Sequence, residues 1–206
     1  MISVRPGVFE TNSSSSHSII IATDDDYVTK EEISKHYYVN NDGILRIFHE
    51  DNLSFQRYPF KILDDFYTKL CFAIASYCCY HDNPDEVPEM KEIYDTCAEV
   101  IDNFKGIEFP YDTWYDDEEE KRVKEYFYGE IDHQSYGLLD KILKKEDISI
   151  REFILNKKYI VIIDGDEYNN TEVFLNLSIL NPNKVIKRYT PYGVINGIST
   201  KYPDEE

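Results

Sequence analysis

Basic residues are scarce in this 206-residue sequence: 22 Lys and Arg stand against 40 Asp and Glu, giving a formal charge of −18 at pH 7. The deficit excludes a broad electrostatic footprint on DNA, RNA or an anionic membrane, because counterion release rewards Lys and Arg and like charge repels. Long apolar runs are missing too. No stretch approaches the roughly 18 consecutive apolar residues of a membrane span. The first residues carry one Arg and no apolar core followed by a small-residue cleavage site, so a cytoplasmic location is expected. Glycine and proline number only 8 each, while 42% of residues are hydrophobic and 18 are Tyr. That composition is too apolar and aromatic for a disordered chain. A chain of this length buries roughly 70% of its unfolded surface, so folding requires neither disulfides nor metals, and no cofactor is expected.

The four cysteines, Cys71, Cys78, Cys79 and Cys97, all fall in segments that read as amphipathic helices. Cys71 and Cys78 lie two helical turns apart, roughly 10 Å, beyond disulfide reach. Cys78, His81 and Cys97 could offer three metal ligands, but no CxxC pair and no evident fourth ligand accompany them. Core packing is the plainer role.

What is abundant is acid, and it is localised. Residues 1–81 carry a net −4 and residues 133–206 a net −1, whereas residues 82–132 carry −13. No repeat or Gly/Ser linker divides the chain, so a single domain over 1–206 is expected.

Hydrophobic periodicity predicts a strand over 18–22, a hairpin joining 37–39 to 44–48 through Asn40, Asn41, Asp42 and Gly43, and a central buried helix over 62–80. Pro88 is placed to open a second helix that stops at Gly106. The acidic run from Asp116 precedes an amphipathic stretch with Val123, Tyr126 and Phe127. Short helices follow over 136–143 and 150–156, then strands over 159–163 and 172–177 and a tail with Val185 and Ile186. Strands at both ends around a helical middle imply an α+β fold, with a mixed or antiparallel sheet packed on a helical layer.

Four stretches carry candidate chemistry. The first joins Arg5 to Asn12, Ser13, Ser14, Ser15, Ser16 and His17. Hydroxyls and backbone N–H groups there could cradle a phosphate, with Arg5 and His17 adding charge. A hydroxyl-rich arm that satisfies its own backbone is the plainer alternative. The segment Phe9-Glu10-Thr11-Asn12 followed by four serines and an apolar strand resembles an N-terminal motif recurring in uncharacterised small proteins of bacteria and their phages. The resemblance covers about a dozen residues and implies a phage or mobile-element origin, with no activity attached.

The second is Asp132, His133 and Ser135: a general-base pair, or simply an N-cap for the helix near Tyr136. With Ser13, Ser14 and His17 it could form a nucleophilic set, although no GxSxG elbow is present. The third, Asp164 and Asp166 around Gly165, is a metal candidate by charge and a hairpin turn by signature.

The fourth is the acidic helix. Glu89, Glu92, Asp95, Glu99 and Asp102 fall in one sector, without an interleaved base, about 5–6 Å apart along the axis. That spacing approximates phosphates along a nucleic-acid strand. With Asp116, Asp117, Glu118, Glu119, Glu120 and aromatic anchors such as Trp114, it suggests an acidic inhibitor of a basic partner, such as a host nuclease, acting by nucleic-acid mimicry. An enzyme acting on a nucleotide or phosphorylated small molecule is the rival expectation, and a phage structural or assembly protein the third.

Overall fold

The computed structural model describes residues 16–22, 26–36, 39–56, 61–116, 121–164, 185–190 and 193–196. Arg5, Asn12, Ser13, Ser14, Ser15, Asp117, Glu118, Glu119, Glu120, Asp166 and the strand expected over 172–177 lie outside these residues.

The fold is α+β. Its main sheet is antiparallel and joins the two ends of the chain. β1 (Ser16–Ala22) lies between β9 (Tyr159–Asp164) and β10 (Val185–Thr190); β11 (Gly193–Asn196) extends one edge and β4 (Lys61–Leu63) the other. The β-branched run Ile160, Val161, Ile162 and Ile163 is buried, which explains why β9 is legible as a strand without strict alternation. Two short parallel pairs complete the described main-chain pairing beside a long hairpin: β2 (Ile44–Arg46) with β5 (Gly106–Glu108), and β3 (Ser54–Phe55) with β8 (Glu130–Ile131).

Helix α2 (Phe66–Cys78) forms the centre. Asp65 caps it, accepting from the Thr68 backbone N–H at 3.0 Å, and residues Leu70 to Ser76 are buried on every side. Ile62 and Leu63, expected in this helix, instead pair with Ile162 and Val161 in β4, because the Asp65 cap starts the helix after them. Lys69 is fully buried among these apolar groups and donates from Nζ to the Asn156 carbonyl at 2.7 Å. The core around α2 takes in Ile19, Val161 and Ile163 from the sheet, Met90, Ile93 and Cys97 from α3 (Pro88–Val100), and Phe153 and Ile154 from α5 (Ile150–Leu155).

Pro88 occupies the first turn of α3 as expected, but the helix ends at Val100 rather than Gly106. Ile101 is extended and Asn103 takes a left-handed φ of 58°, so Ile101 reaches the core from the turn after the helix. Of the hairpin expected to join 37–39 to 44–48, the described residues show one bridge, Val39 to Leu45; residues 37 and 38 lie outside them. Gly43 explains the change. A Cβ there would lie 1.9 Å from the Asn103 carbonyl oxygen, and this close approach lets β2 pair with β5 instead. Two further helices, α1 (Lys30–His36) and α4 (Leu138–Glu146), flank this frame. The first opens with a reciprocal cap in which Thr29 and Glu32 bond each other's backbone N–H. No helix among the described residues is long and apolar enough to cross a membrane.

Candidate functional site

The acidic side of α3 is not a row of free carboxylates. Glu99 is gripped by Arg151 of α5, whose Nε and Nη2 donate at 2.6 and 2.5 Å, and this holds the Glu99 carboxyl below its usual range. Glu92 accepts from the Arg151 backbone N–H at 3.1 Å. Asp95 pairs with Lys91 at 2.5 Å and Asp102 with Lys30 at 3.2 Å. Glu89 makes no ion pair among the described residues. The expectation of five carboxylates with no interleaved base is therefore corrected. Lys91 stands one helical turn before Asp95, and the other bases arrive from α1 and α5. Exposed pairs are individually weak, but together they set positive groups among the carboxylates, so this side of the helix is not the uniform negative array that mimicry of a phosphate strand requires. Asp102 also lies beyond the end of the helix.

The segment after α3 forms the larger exposed surface. β6 (Tyr111–Asp116) and β7 (Lys121–Tyr126) make an antiparallel hairpin, correcting the amphipathic stretch expected around Val123. Directly opposed residues share a face, so the register sorts the side chains. Tyr111 with Tyr126, Thr113 with Lys124 and Tyr115 with Arg122 occupy one face; Asp112 with Glu125, Trp114 with Val123 and Asp116 with Lys121 occupy the other. On the first face Lys124 Nζ stands 3.9 Å from the centre of the Tyr111 ring, a cation–π contact. On the second, Asp112 and Glu125 oppose each other with no ion pair to any described residue, beside a Trp114 that is 46% exposed. Like charges directly opposed across a strand pair destabilise it. A cleft of about 510 Å³ opens between this hairpin and the loop after α2, with Trp114, Glu125 and Tyr128 on one side and Asp82 on the other.

No family model, curated protein or solved structure matches this chain. Its candidate sites therefore rest on geometry alone.

The catalytic candidates are partly assembled. Ser16 and His17 lie in β1, with Ser16 opposite Asp164 and His17 opposite Ile163. The first and third candidate stretches thus meet at one end of the sheet. β1 also comes within 8 Å, Cα to Cα, of the turn formed by His133–Ser135. In that turn Asp132 and Ser135 are buried, with 5% and 1% of their surface exposed, whereas His133 is exposed. The His133 Nδ1 stands 3.8 Å from the Asp132 carboxylate, outside hydrogen-bond distance. Neither Asp132 nor Ser135 caps α4: Gly137 occupies that position at φ 69°, without a side-chain cap bond.

The thiols are core groups. Cys71, Cys78 and Cys97 are buried, and burial pushes the Cys78 and Cys97 thiols up to about 12. A protonated buried thiol is a poor metal ligand. Among the described residues no three His, Cys, Asp or Glu side chains converge on a point that could hold a metal.

In the sequence, the β pairing of Trp114 with Val123 is signalled only by the alternation of residue types around them.

Proposed function

We propose that this chain is a non-enzymatic binding protein that engages a positively charged partner through the β6/β7 hairpin and its adjoining cleft. One contrast carries this reading: Glu92, Asp95 and Glu99 of α3 and Asp102 just after it are engaged within the molecule, whereas Asp112 and Glu125 face each other unneutralised beside exposed Trp114. Aromatic anchors among charges are the composition of interface hot spots, and unpaired acids steer a basic partner. A nucleic-acid-handling enzyme with a basic groove fits this surface. The N-terminal motif adds a resemblance that implies a phage or mobile-element origin and attaches no activity.

The test is affinity capture from bacterial lysate at low and high salt with three baits. Wild type and Asp95→Lys should retain the same salt-sensitive partner, because Asp95 lies on α3 and is already paired. The double variant Trp114→Ala/Glu125→Lys should lose it. Loss with Asp95→Lys and retention by the hairpin variant would overturn the assignment to this surface.

A second reading is supported by the approach of β1, with Ser16 and His17, to the turn after Asp132. It would make the chain an enzyme on a phosphorylated small molecule. It ranks second because Asp132 and Ser135 are shut away from solvent and Asp132 is out of hydrogen-bond range of His133.

A further inference from the structure

Resting on the cationic-partner reading above, we infer that the cleft beside the hairpin receives one arginine side chain of that partner, its guanidinium lying on Trp114 and paired with Glu125.

The chemistry of the lining points to a cation. Trp114 and Tyr128 supply aromatic surface, and Asp82, Glu125 and Glu130 supply carboxylates. The volume of about 510 Å³ is ample for one long side chain. Lys124 is the one lysine or arginine on its wall, beside His81, and the Lys124 ammonium is occupied by the Tyr111 ring on the hairpin's other face. Glu130 spends Oε2 on the Ser54 hydroxyl at 3.3 Å and the Gln56 amide at 3.0 Å; its Oε1 makes no hydrogen bond among the described residues. Asp82 and Glu125 have no ion partner among the described residues.

Two features favour a bound cation over solvent. Asp112 opposes Glu125 directly, and a positive group between or beside them converts a repulsive cross-strand pair into an attractive triad. Trp114, the best cation–π ring type, carries no cation among the described residues, although its neighbour Tyr111 already does. Arginine suits the pair better than lysine. A planar guanidinium can stack on a flat indole while its edge donates two parallel bonds to a carboxylate, and it sheds water more readily than an ammonium.

Trp114 is the sole tryptophan of the sequence, so its emission reports on this cleft directly. The experiment titrates the full chain at low salt with a blocked Arg-Gly repeat peptide and with the Lys-Gly peptide of equal length. The Arg peptide should change Trp114 emission saturably and bind about threefold to tenfold tighter than the Lys peptide, the range set by one cation–π contact and one partly exposed ion pair. Glu125→Gln should weaken the Arg peptide by a similar factor. Asp147→Asn, which removes one exposed charge at the end of α4 and does not line the cleft, should leave affinity nearly unchanged. If both peptides bind equally with unchanged emission, or if Glu125→Gln matters no more than Asp147→Asn, the arginine cleft is wrong while the cationic-partner reading stands. If neither peptide binds at low salt, both fall together.

Discussion

Replacing Gly129 by alanine should destabilise the protein by on the order of 3 kcal/mol. Gly129 sits just before β8 at φ 134°, a region costly for any residue with a Cβ. An added Cβ would lie 2.6 Å from the Ala75 Cβ and 2.7 Å from the Ala75 Cα, in the middle of the central helix. Ala75 is fully buried, so α2 cannot withdraw without disturbing the core, and the strain must fall on the segment carrying Tyr128 and Glu130. Those two residues line the cleft, which ties this close approach of α2 and β8 to the proposed site. Thermal denaturation should show a fall of about 6–12 °C for a chain of this size. Adding Ala75→Gly should recover little of the loss, because the approach to the residue 75 Cα at 2.7 Å and the backbone conformation both remain. An unchanged midpoint in Gly129→Ala would contradict so close a packing.

A second large effect is expected at Lys69. Burial pulls its amine down to about 7, against the opposing pull of Asp65, Asp64 and Glu152 and reinforced by Lys157. Above that value the folded chain has released a proton that the unfolded chain, with an ordinary lysine, still holds. Raising the pH from 7 towards 9 therefore favours the folded state through this group, by up to about 1.4 kcal/mol per pH unit. Below pH 7 both states are protonated and the cost of a buried ammonium is fully present. Lys69→Met removes the titrating group, at the expense of the bond to the Asn156 carbonyl. Urea denaturation across pH 6 to 9 should show wild type gaining on Lys69→Met as the pH rises, with the variant relatively most stable at the acid end. Parallel stability curves would mean that the amine is hydrated or fully charged in the folded protein.

Local signals made some elements readable and left others hidden. Helix α3 could be read from Pro88 and the spacing of Met90, Ile93 and Cys97, and α5 from the Ser149 cap, which accepts from Glu152 N–H at 3.0 Å. Strand β9 announced itself by β-branched residues alone. The pairing of β2 with β5 was hidden because it joins segments about sixty residues apart and depends on the missing side chain of Gly43 against Asn103. The end of α3 was misplaced because Ile101 and Phe104 continue its apolar period after the backbone has turned.

The candidate site followed the same rule. Concentration of charge over 82–132 and the identity of the aromatic anchors were legible in composition. Neutralisation of α3 was not, since Arg151 and Lys30 belong to helices distant in sequence. The single local clue is Lys91, one helical turn before Asp95. Strand register alone places Asp112 against Glu125 beside Trp114.

The central claim is that cation recognition belongs to this hairpin and its cleft rather than to the acidic helix. Amide-resonance mapping of the full chain during titration with the Arg-Gly peptide tests it most directly. The account predicts that the largest shifts fall in β6, β7 and the following residues through Glu130, with α3 nearly silent. Largest shifts along α3, with a quiet hairpin, would contradict it.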